Sequence, residues 1–197
     1  MTSRREQLLR CAIDLFYQEG IQATGIEKIL AAAGTSKPTL YRHFDSKTAL
    51  AVAALSQWDL EARAFLTGEA RKRGDTPRAQ VLAFFDALGD WFASEGFSGC
   101  FCMNAAIEFP DHDDPIHAVA VEHKNQLQAF LKGLLEAVGD PDPDALSARL
   151  MILVEGAIIS AHYRGTAAPA AQARDMAAEM IDSRAPKKSR RRPRAKP

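Results

Sequence analysis

The sequence from residue 34 to residue 47 reads Gly34-Thr35-Ser36-Lys37-Pro38-Thr39-Leu40-Tyr41-Arg42-His43-Phe44-Asp45-Ser46-Lys47. Its start predicts a tight turn at the glycine, an N-cap at the serine and a helix over 37–44, because proline in a first helical turn loses no hydrogen bond. Leu40 and Phe44 lie one turn apart on that helix and are expected to pack inward. The outward face then carries a cluster of hydrogen-bond donors, formed by Lys37, Thr39, Arg42 and His43.

Two more helices are predicted ahead of this segment. An apolar stripe predicts a helix over 3–19 and consists of Leu9, Ile13 and Phe16. Thr24 and Glu27 match a capping-box pattern, which predicts a short helix over 26–33. Two short helices joined by a turn at Gly34 form a helix-turn-helix, a unit that lays its second helix in the major groove of DNA.

The remainder of the chain is also predicted to be helical. Ser46 is placed to cap a long helix over 47–73. Apolar stripes with flanking Pro, Gly and Asp predict five more helices, over about 77–92, 101–109, 116–138, 145–163 and 169–183. The 35 Ala and 18 Leu outnumber the 24 Val, Ile and Thr residues together, a balance that favours helices over strands. The predicted fold class is therefore all-α.

Charge is distributed unevenly along the chain although the net charge is zero. Residues 1–50 carry a net charge of +2, and residues 51–183 carry −10. Residues 184–197 carry +8 without apolar periodicity, which predicts a disordered basic tail able to add sequence-independent phosphate contacts. Because DNA repels an acidic surface, only the two ends of the chain are expected to contact it.

The segment from Thr24 to Lys47 resembles the DNA-binding domain of the TetR family of bacterial transcriptional repressors. Eleven positions of the family's pattern match, at Thr24, Gly34, Ser36, Lys37, Thr39, Leu40, Tyr41, His43, Phe44, Ser46 and Lys47. A less specific similarity to regulatory domains of that family lies in Gly99-Cys100, Asn104-Ala105-Ala106, Glu108-Phe109 and His123-Lys124. The resemblance implies a helix-turn-helix DNA-binding domain over 1–50, and a ligand-binding and dimerisation domain over 51–183.

The same resemblance implies a DNA contact for each of nine residues. Bases or the nearby backbone are expected to be contacted by Lys37, Thr39 and Arg42. Phosphates are expected to be bound by Tyr41, His43 and Lys47. A phosphate is also expected to receive backbone N–H groups at a helix start, from Thr24 and Gly25. An apolar contact, for example with a thymine methyl, is expected from Pro38.

The function implied is that of a cytoplasmic homodimer that represses transcription and leaves its operator DNA when a small apolar or aromatic effector binds. Candidate residues for the effector pocket are Trp58, Phe85, Trp91, Phe101, Met103 and His123. For each aromatic residue, the alternative is that it only fills the core. For His123, the alternative to a polar anchor in the pocket is a core histidine bonded to a carbonyl.

The last two helices are the candidate dimer interface, through an apolar stripe on the penultimate one. Its members are Leu146, Leu150, Leu153, Ala157 and Ala161. Two copies packed through these helices would hold two recognition helices about 34–36 Å apart, one turn of DNA or slightly more. The alternative is that the stripe belongs to the core of a single chain.

Several other functions are weighed against this prediction. Cys100 and Cys102 suggest sensing of oxidants or electrophiles, or else inert packing in an apolar helix. The residues 111–117 superficially resemble a metal site, but Asp114 is explained as a helix cap, and no metal or cofactor is predicted. No run approaches the roughly 18 apolar residues that span a bilayer, so no membrane association is expected. A helical enzyme with a DNA-binding head and a DNA-architectural protein are the remaining alternatives.

Overall fold

The computed structural model describes residues 3–184, and the regular secondary structure in that range consists of nine α-helices and no strand. The helices are α1 (Arg4–Glu19), α2 (Ile26–Ala32), α3 (Lys37–His43), α4 (Lys47–Arg73), α5 (Pro77–Phe92), α6 (Phe101–Glu108), α7 (Pro115–Val138), α8 (Pro143–Arg164) and α9 (Ala168–Arg184). The predicted all-α fold class is confirmed, and the predicted helix ends lie within two residues of these bounds. The predicted tail lies outside the described residues except for Arg184, which is not disordered but closes α9.

A capping box stabilises the start of α1, where the sequence had not predicted one. The Ser3 hydroxyl accepts the Glu6 N–H at 3.2 Å, and the Glu6 carboxylate accepts the Ser3 N–H at 2.7 Å. The capping box predicted at Thr24 is wrong, because Gly25 is the N-cap of α2 and makes no side-chain cap bond. The Thr24 hydroxyl instead donates to the Gly20 carbonyl at 2.7 Å, against the end of α1.

The caps of the next helices largely follow the sequence. Ser46 accepts the Ala49 N–H at 3.0 Å and begins α4, as predicted. Asp114 likewise accepts the Ile116 N–H at 2.7 Å and begins α7. Ser36 occupies the N-cap position of α3 but makes no cap bond, because its hydroxyl pairs with the Thr39 hydroxyl at 3.0 Å.

One hydrophobic core runs through the described residues from α1 to α9. Helix α4 packs against α1, α5 and α7, while α8 and α9 pack on each other and on α5, and α8 also packs on α7. We call α1–α3 the head and α5–α9 the body. Because α4 is continuous through residue 50 and shares its core with both parts, the domain boundary at residue 50 stays a prediction.

Helix α8 is more apolar than the sequence analysis allowed. Its 22 residues include an 18-residue window of mean hydropathy 1.4, so by length and composition alone α8 is a candidate membrane span. The same properties describe a core helix, and α8 packs against α5, α7 and α9 with eight of its side chains buried.

Candidate nucleic-acid interface and regulatory site

Helix α3 presents most of the predicted DNA-contacting side chains to solvent. Leu40 and Phe44 are buried and hold α3 on the core, as the one-turn spacing predicts. The exposed residues of this face are Lys37, Pro38, Tyr41, Arg42 and His43, with Thr39 half-buried beside them. Polar donors and the apolar ring of Pro38 thus lie on the exposed part of one helix, the kind of element that a major groove admits.

Both lysines that were predicted to contact DNA already have partners within the chain. Lys37 lies 3.4 Å from the Glu27 carboxylate, an exposed pair of the kind that contributes about 0–1 kcal/mol and exchanges readily for a phosphate. Lys47 is half-buried, and its ammonium donates to the Gln22 carbonyl at 3.2 Å. Lys47 therefore fastens the start of α4 to the turn between α1 and α2.

The start of α2 differs from the prediction at one residue. Thr24 is buried, and its backbone N–H already donates to the Gly20 carbonyl at 3.3 Å. The prediction that this N–H binds a phosphate is therefore wrong. Gly25 is exposed, and a Cβ at its position would meet nothing within 4 Å, so a phosphate has room to approach this helix end.

A carboxylate at the end of α6 grips the turn after α1. Glu108 accepts the backbone N–H of Ile21 at 3.1 Å and that of Gln22 at 2.8 Å. Gly20 has a φ of +89°, and a Cβ there would lie 3.1 Å from a carboxylate oxygen of Glu108. We call this contact the Glu108 latch. In the sequence Glu108 belongs only to the less specific similarity to regulatory domains, which implies no role for it.

A second contact joins α1 to the segment that precedes α6. The Tyr17 hydroxyl donates to the Gly99 carbonyl at 2.9 Å and accepts the Ser98 N–H at 2.8 Å. Burial raises the pKa of Tyr17 to about 12, so the hydroxyl stays neutral and keeps both bonds. Helix α6 is therefore bracketed by contacts with the head at both of its ends.

Four of the six predicted pocket residues pack on one another inside the protein. These four form an aromatic cluster around Trp58, whose ring centroid lies 6.0 Å from Trp91, 6.0 Å from Phe101 and 5.7 Å from His123. Phe85 lies apart from this cluster, fully buried against Phe84. Most of the predicted aromatic lining is thus part of the core, which is the alternative that the sequence left open.

A cleft of about 330 Å³ opens between α6, α7 and α8, and we call it the α6–α7 cleft. Its lining residues are Cys102, Met103, Ala106, Ile107, Ala120, Val121, Lys124, Asn125 and Glu155. Of the predicted pocket residues it contains only Met103. The Lys124 ammonium is shielded from solvent, has no hydrogen-bond partner and lies 3.7 Å from the Glu155 carboxylate.

Behind this cleft, His123 connects α6 to α4. Its Nδ1 lies 2.6 Å from the Asp59 carboxylate, and its Nε2 lies 3.7 Å from the Cys100 sulfur. Asp59 is in turn held by two bonds from the Arg63 guanidinium, at 2.6 and 2.8 Å. Burial raises the pKa of Asp59, but hydrogen bonds from Arg63 and His123 outweigh it and keep the carboxylate charged. The partner of His123 is thus a carboxylate and not the carbonyl that the sequence analysis considered.

The stretch 111–117 has a structural explanation. Asp114 caps α7, and the His117 ring bonds to the Phe109 carbonyl at 2.8 Å. Among residues 3–184, no group of three or more His, Cys, Asp or Glu side chains is arranged to hold a metal ion.

Two family models match the chain and together cover the head and the body. Residues 8–54 match the model described as "Bacterial regulatory proteins, tetR family". Residues 77–177 match the model described as "Tetracyclin repressor-like, C-terminal domain", which alone covers more than half of the chain. The protein belongs to the TetR family of bacterial transcriptional regulators. It is a DNA-binding regulator of transcription, as the resemblance of its third helix implied.

Individual relatives agree with the TetR assignment. A crystal structure of a TetR-family transcriptional regulator from Streptomyces coelicolor is 32% identical, with a TM-score of 0.88, and the match covers 94% of this chain and 91% of that one. The HTH-type transcriptional regulator YjdC of Escherichia coli is 26% identical over 79% of this chain and 81% of its own length. The HTH-type transcriptional activator FasR of Mycolicibacterium smegmatis is 40% identical over 43% of this chain and 40% of its own length. Two of the three are named as transcriptional regulators and FasR as a transcriptional activator, and the protein is a regulator and not an enzyme.

The predicted dimer stripe on α8 of this TetR protein faces its own core. Four members of this stripe are buried within the chain, namely Leu146, Leu150, Ala157 and Ala161. The prediction that these four residues contact a partner subunit is therefore wrong. Leu153 is half-buried at the edge of a shallow groove between α8 and α9. The outward face of the two helices instead exposes Ile152, Ile159, Tyr163 and Met176, with 68% of Ile152 and 76% of Tyr163 accessible. The sequence missed this face because α8 is apolar on both sides.

Proposed function

We propose that this TetR regulator is a cytoplasmic, homodimeric repressor that leaves its operator when a small, mainly apolar effector occupies the α6–α7 cleft. The observation that carries the proposal is the position of α6. This helix contributes one wall of the cleft and ends in the Glu108 latch on the head. An effector that moves α6 would therefore change the support of the DNA-reading helix.

The proposed DNA contacts are those of the exposed face of α3 together with Gly25. Arg42 is the residue proposed to read a base, because its guanidinium is exposed and no ion pair within residues 3–184 engages it. Tyr41 and His43 flank it and are proposed to bind phosphates. Lys47 would reach a phosphate only by giving up its bond to the Gln22 carbonyl.

The proposed dimer is formed by the outward face of α8 and α9. Large apolar side chains stand exposed there, and an exposed apolar patch of this kind is typical of a surface that a partner covers. A twofold arrangement through this face would present two α3 helices to successive major grooves, about 34–36 Å apart.

The proposed coupling is a shift between two populations. One orientation of the heads fits the operator, and the effector must bind more tightly to the other for release to occur. For an activator, release of the protein from its operator would lower transcription instead of raising it. The relative FasR is named an activator. The test must therefore measure the direction of regulation and not only DNA binding.

The test begins with selection of DNA fragments from the source genome by the purified full-length protein. A reporter gene is then placed behind the recovered operator in cells with and without the regulator. We expect a discrete operator, lower reporter output when the protein is present, and recovery of output with an effector encoded near the operator. Higher output would overturn repression, and equal affinity for operator and random DNA would favour an architectural role.

A further inference from the structure

One ammonium group in the α6–α7 cleft has fewer partners than its charge requires. The Lys124 nitrogen is shielded from solvent, and among residues 3–184 no hydrogen-bond acceptor lies within reach of it. The Glu155 carboxylate lies 3.7 Å away, close enough to attract the ammonium but too far for a hydrogen bond. A buried charged donor without an acceptor is unfavourable, so this position favours a bound group that accepts hydrogen bonds.

The walls of the cleft around this nitrogen are apolar. They are formed by side chains of α6 and α7, namely Met103, Ala106, Ile107, Ala120 and Val121. Ile107 and Val121 are 73% and 45% exposed and therefore mark the mouth of the cleft. The shielded Lys124 nitrogen marks its inner end. A ligand that fits both ends carries an acceptor at one end and a hydrocarbon chain at the other.

The size of the cleft limits the length of that chain. The cleft has a volume of about 330 Å³. At roughly 30 Å³ for each non-hydrogen atom, the share that one water molecule has in the liquid, it accommodates about ten such atoms. A carboxylate group with a chain of about seven further carbons has this size.

We propose that the α6–α7 cleft binds small monocarboxylates with an apolar chain, up to about the size of octanoate, with the carboxylate on Lys124 and the chain towards Ile107 and Val121. An ionised carboxylate accepts hydrogen bonds at both oxygens, and its bond to an ammonium is about twice as strong as a bond between neutral groups. The charge therefore favours a carboxylate over an alcohol or an amide. The regulatory consequence rests on the proposed function, whereas the binding itself does not.

Glu155 competes with such a ligand for the same ammonium. Its side chain lies on α8 and is 42% exposed, so its carboxylate has access to water when it leaves Lys124. Partly exposed ion pairs are weak, and this one contains no hydrogen bond. A bound carboxylate would thus replace Glu155 as the partner of Lys124. Because the two carboxylates repel each other, removal of the Glu155 charge should strengthen binding.

The predicted orientation of the ligand places its chain against the end of α6. Ile107 lies at the mouth of the cleft and is followed directly by Glu108. The Glu108 carboxylate accepts two backbone N–H groups of the turn after α1. A chain that packs on Ile107 is therefore expected to shift the Glu108 latch and to change the support of the head.

The experiment titrates the full-length protein with octanoate and, in parallel, with octanamide, which has almost the same shape but no charge. Isothermal titration calorimetry at pH 7 measures Kd, and butanoate and hexanoate test the dependence on chain length. We expect octanoate to bind at least about tenfold more tightly than octanamide. This factor corresponds to the lower end of the range for a hydrogen bond to a charged group.

Three variants distinguish the proposed contact from unspecific binding of a hydrocarbon chain. Lys124→Met should reduce the affinity for octanoate to that for octanamide. Lys132→Met makes the same change on α7 outside the cleft and should bind octanoate as the wild type does. Glu155→Gln should bind octanoate about two- to fivefold more tightly. Thermal melting of each variant shows whether it is folded.

Several results would overturn the inference. They are failure of all three carboxylates to bind, equal affinity for octanoate and octanamide, or a Lys124→Met protein that melts normally and keeps the preference for the carboxylate. Weaker binding of octanoate to Glu155→Gln would also overturn it, because the two carboxylates would then not compete.

Operator binding is measured separately by fluorescence anisotropy, with and without octanoate. A protein that binds octanoate but no operator refutes the proposed function and leaves the ligand class intact. A protein that binds its operator but no carboxylate refutes the ligand class alone. If both bind and octanoate does not release the operator, the regulatory consequence is wrong.

Discussion

The Glu108 latch should control operator affinity from a position outside the DNA-binding face. Glu108→Gln leaves one oxygen to accept an N–H and turns an NH₂ group towards the other. The Ile21 N–H is the donor that suffers most, because Ile21 is buried and water cannot replace the lost acceptor. The variant thus weakens the grip on the α1–α2 turn without changing α3.

The magnitude follows from the two bonds described above. A hydrogen bond to a charged group contributes about 1.5–3 kcal/mol, and the half-buried position of Glu108 favours the lower end of that range. A loss of about 1–2 kcal/mol corresponds to a factor of about 5–30 in an equilibrium constant. If the orientation that binds DNA depends on the latch, the operator Kd should rise by about that factor.

The assay compares Glu108→Gln with Glu179→Gln, which removes the same charge from an exposed position on α9. Operator Kd is measured by fluorescence anisotropy, and the free energy of unfolding is measured in urea at the same protein concentration. We expect lower operator affinity only in Glu108→Gln. If Glu108→Gln is less stable but binds operator as tightly as the control does, the latch is structural and the coupling route is wrong.

Three further predictions concern other surfaces. Arg42→Ala should cost about 1–3 kcal/mol of operator binding with little change on random DNA, measured by anisotropy on both; an equal loss on both would exclude base reading. Ile152→Glu should yield a folded monomer in light scattering, whereas Leu60→Glu on exposed α4 should leave the oligomeric state unchanged. A partly exposed ion pair joins Asp140 to Arg184, whose guanidinium lowers the pKa of Asp140 below its unfolded value. The stability from this pair should be complete above about pH 4 and lost as the pH falls through the folded pKa, so wild type and Arg184→Gln should differ in urea unfolding at pH 7 and converge near pH 2.

The sequence predicted the helices and α3 well because the signals involved are local. Ser46 and Asp114 cap the helices that follow them, and Leu40 and Phe44 face inward as one-turn spacing requires. The failure at Thr24 has a tertiary cause. A threonine and a glutamate three residues apart match a capping box, but the end of α1 offered the Thr24 hydroxyl a carbonyl to bond instead.

The regulatory part was less predictable because its contacts join distant segments. Asp59 and His123 are 64 residues apart, and no spacing rule connects them. The face of α8 was misjudged for a related reason: a helix that is apolar all round does not reveal which side meets its own core. Leu150 went inward and Ile152 outward, although both are apolar. Only the packing of α5, α7 and α9 distinguishes them.

The contacts of Tyr17 and Glu108 with opposite ends of α6 also constrain how such regulators can be recombined. A head transplanted from another regulator would carry its own α1 and would lack the hydroxyl and the turn geometry that this α6 requires. A chimera joined at residue 50 should therefore fold and bind the donor's operator yet respond poorly to the effector. Restoring the response would require transferring α6 together with α1. These two helices are distant in sequence but act as one functional unit.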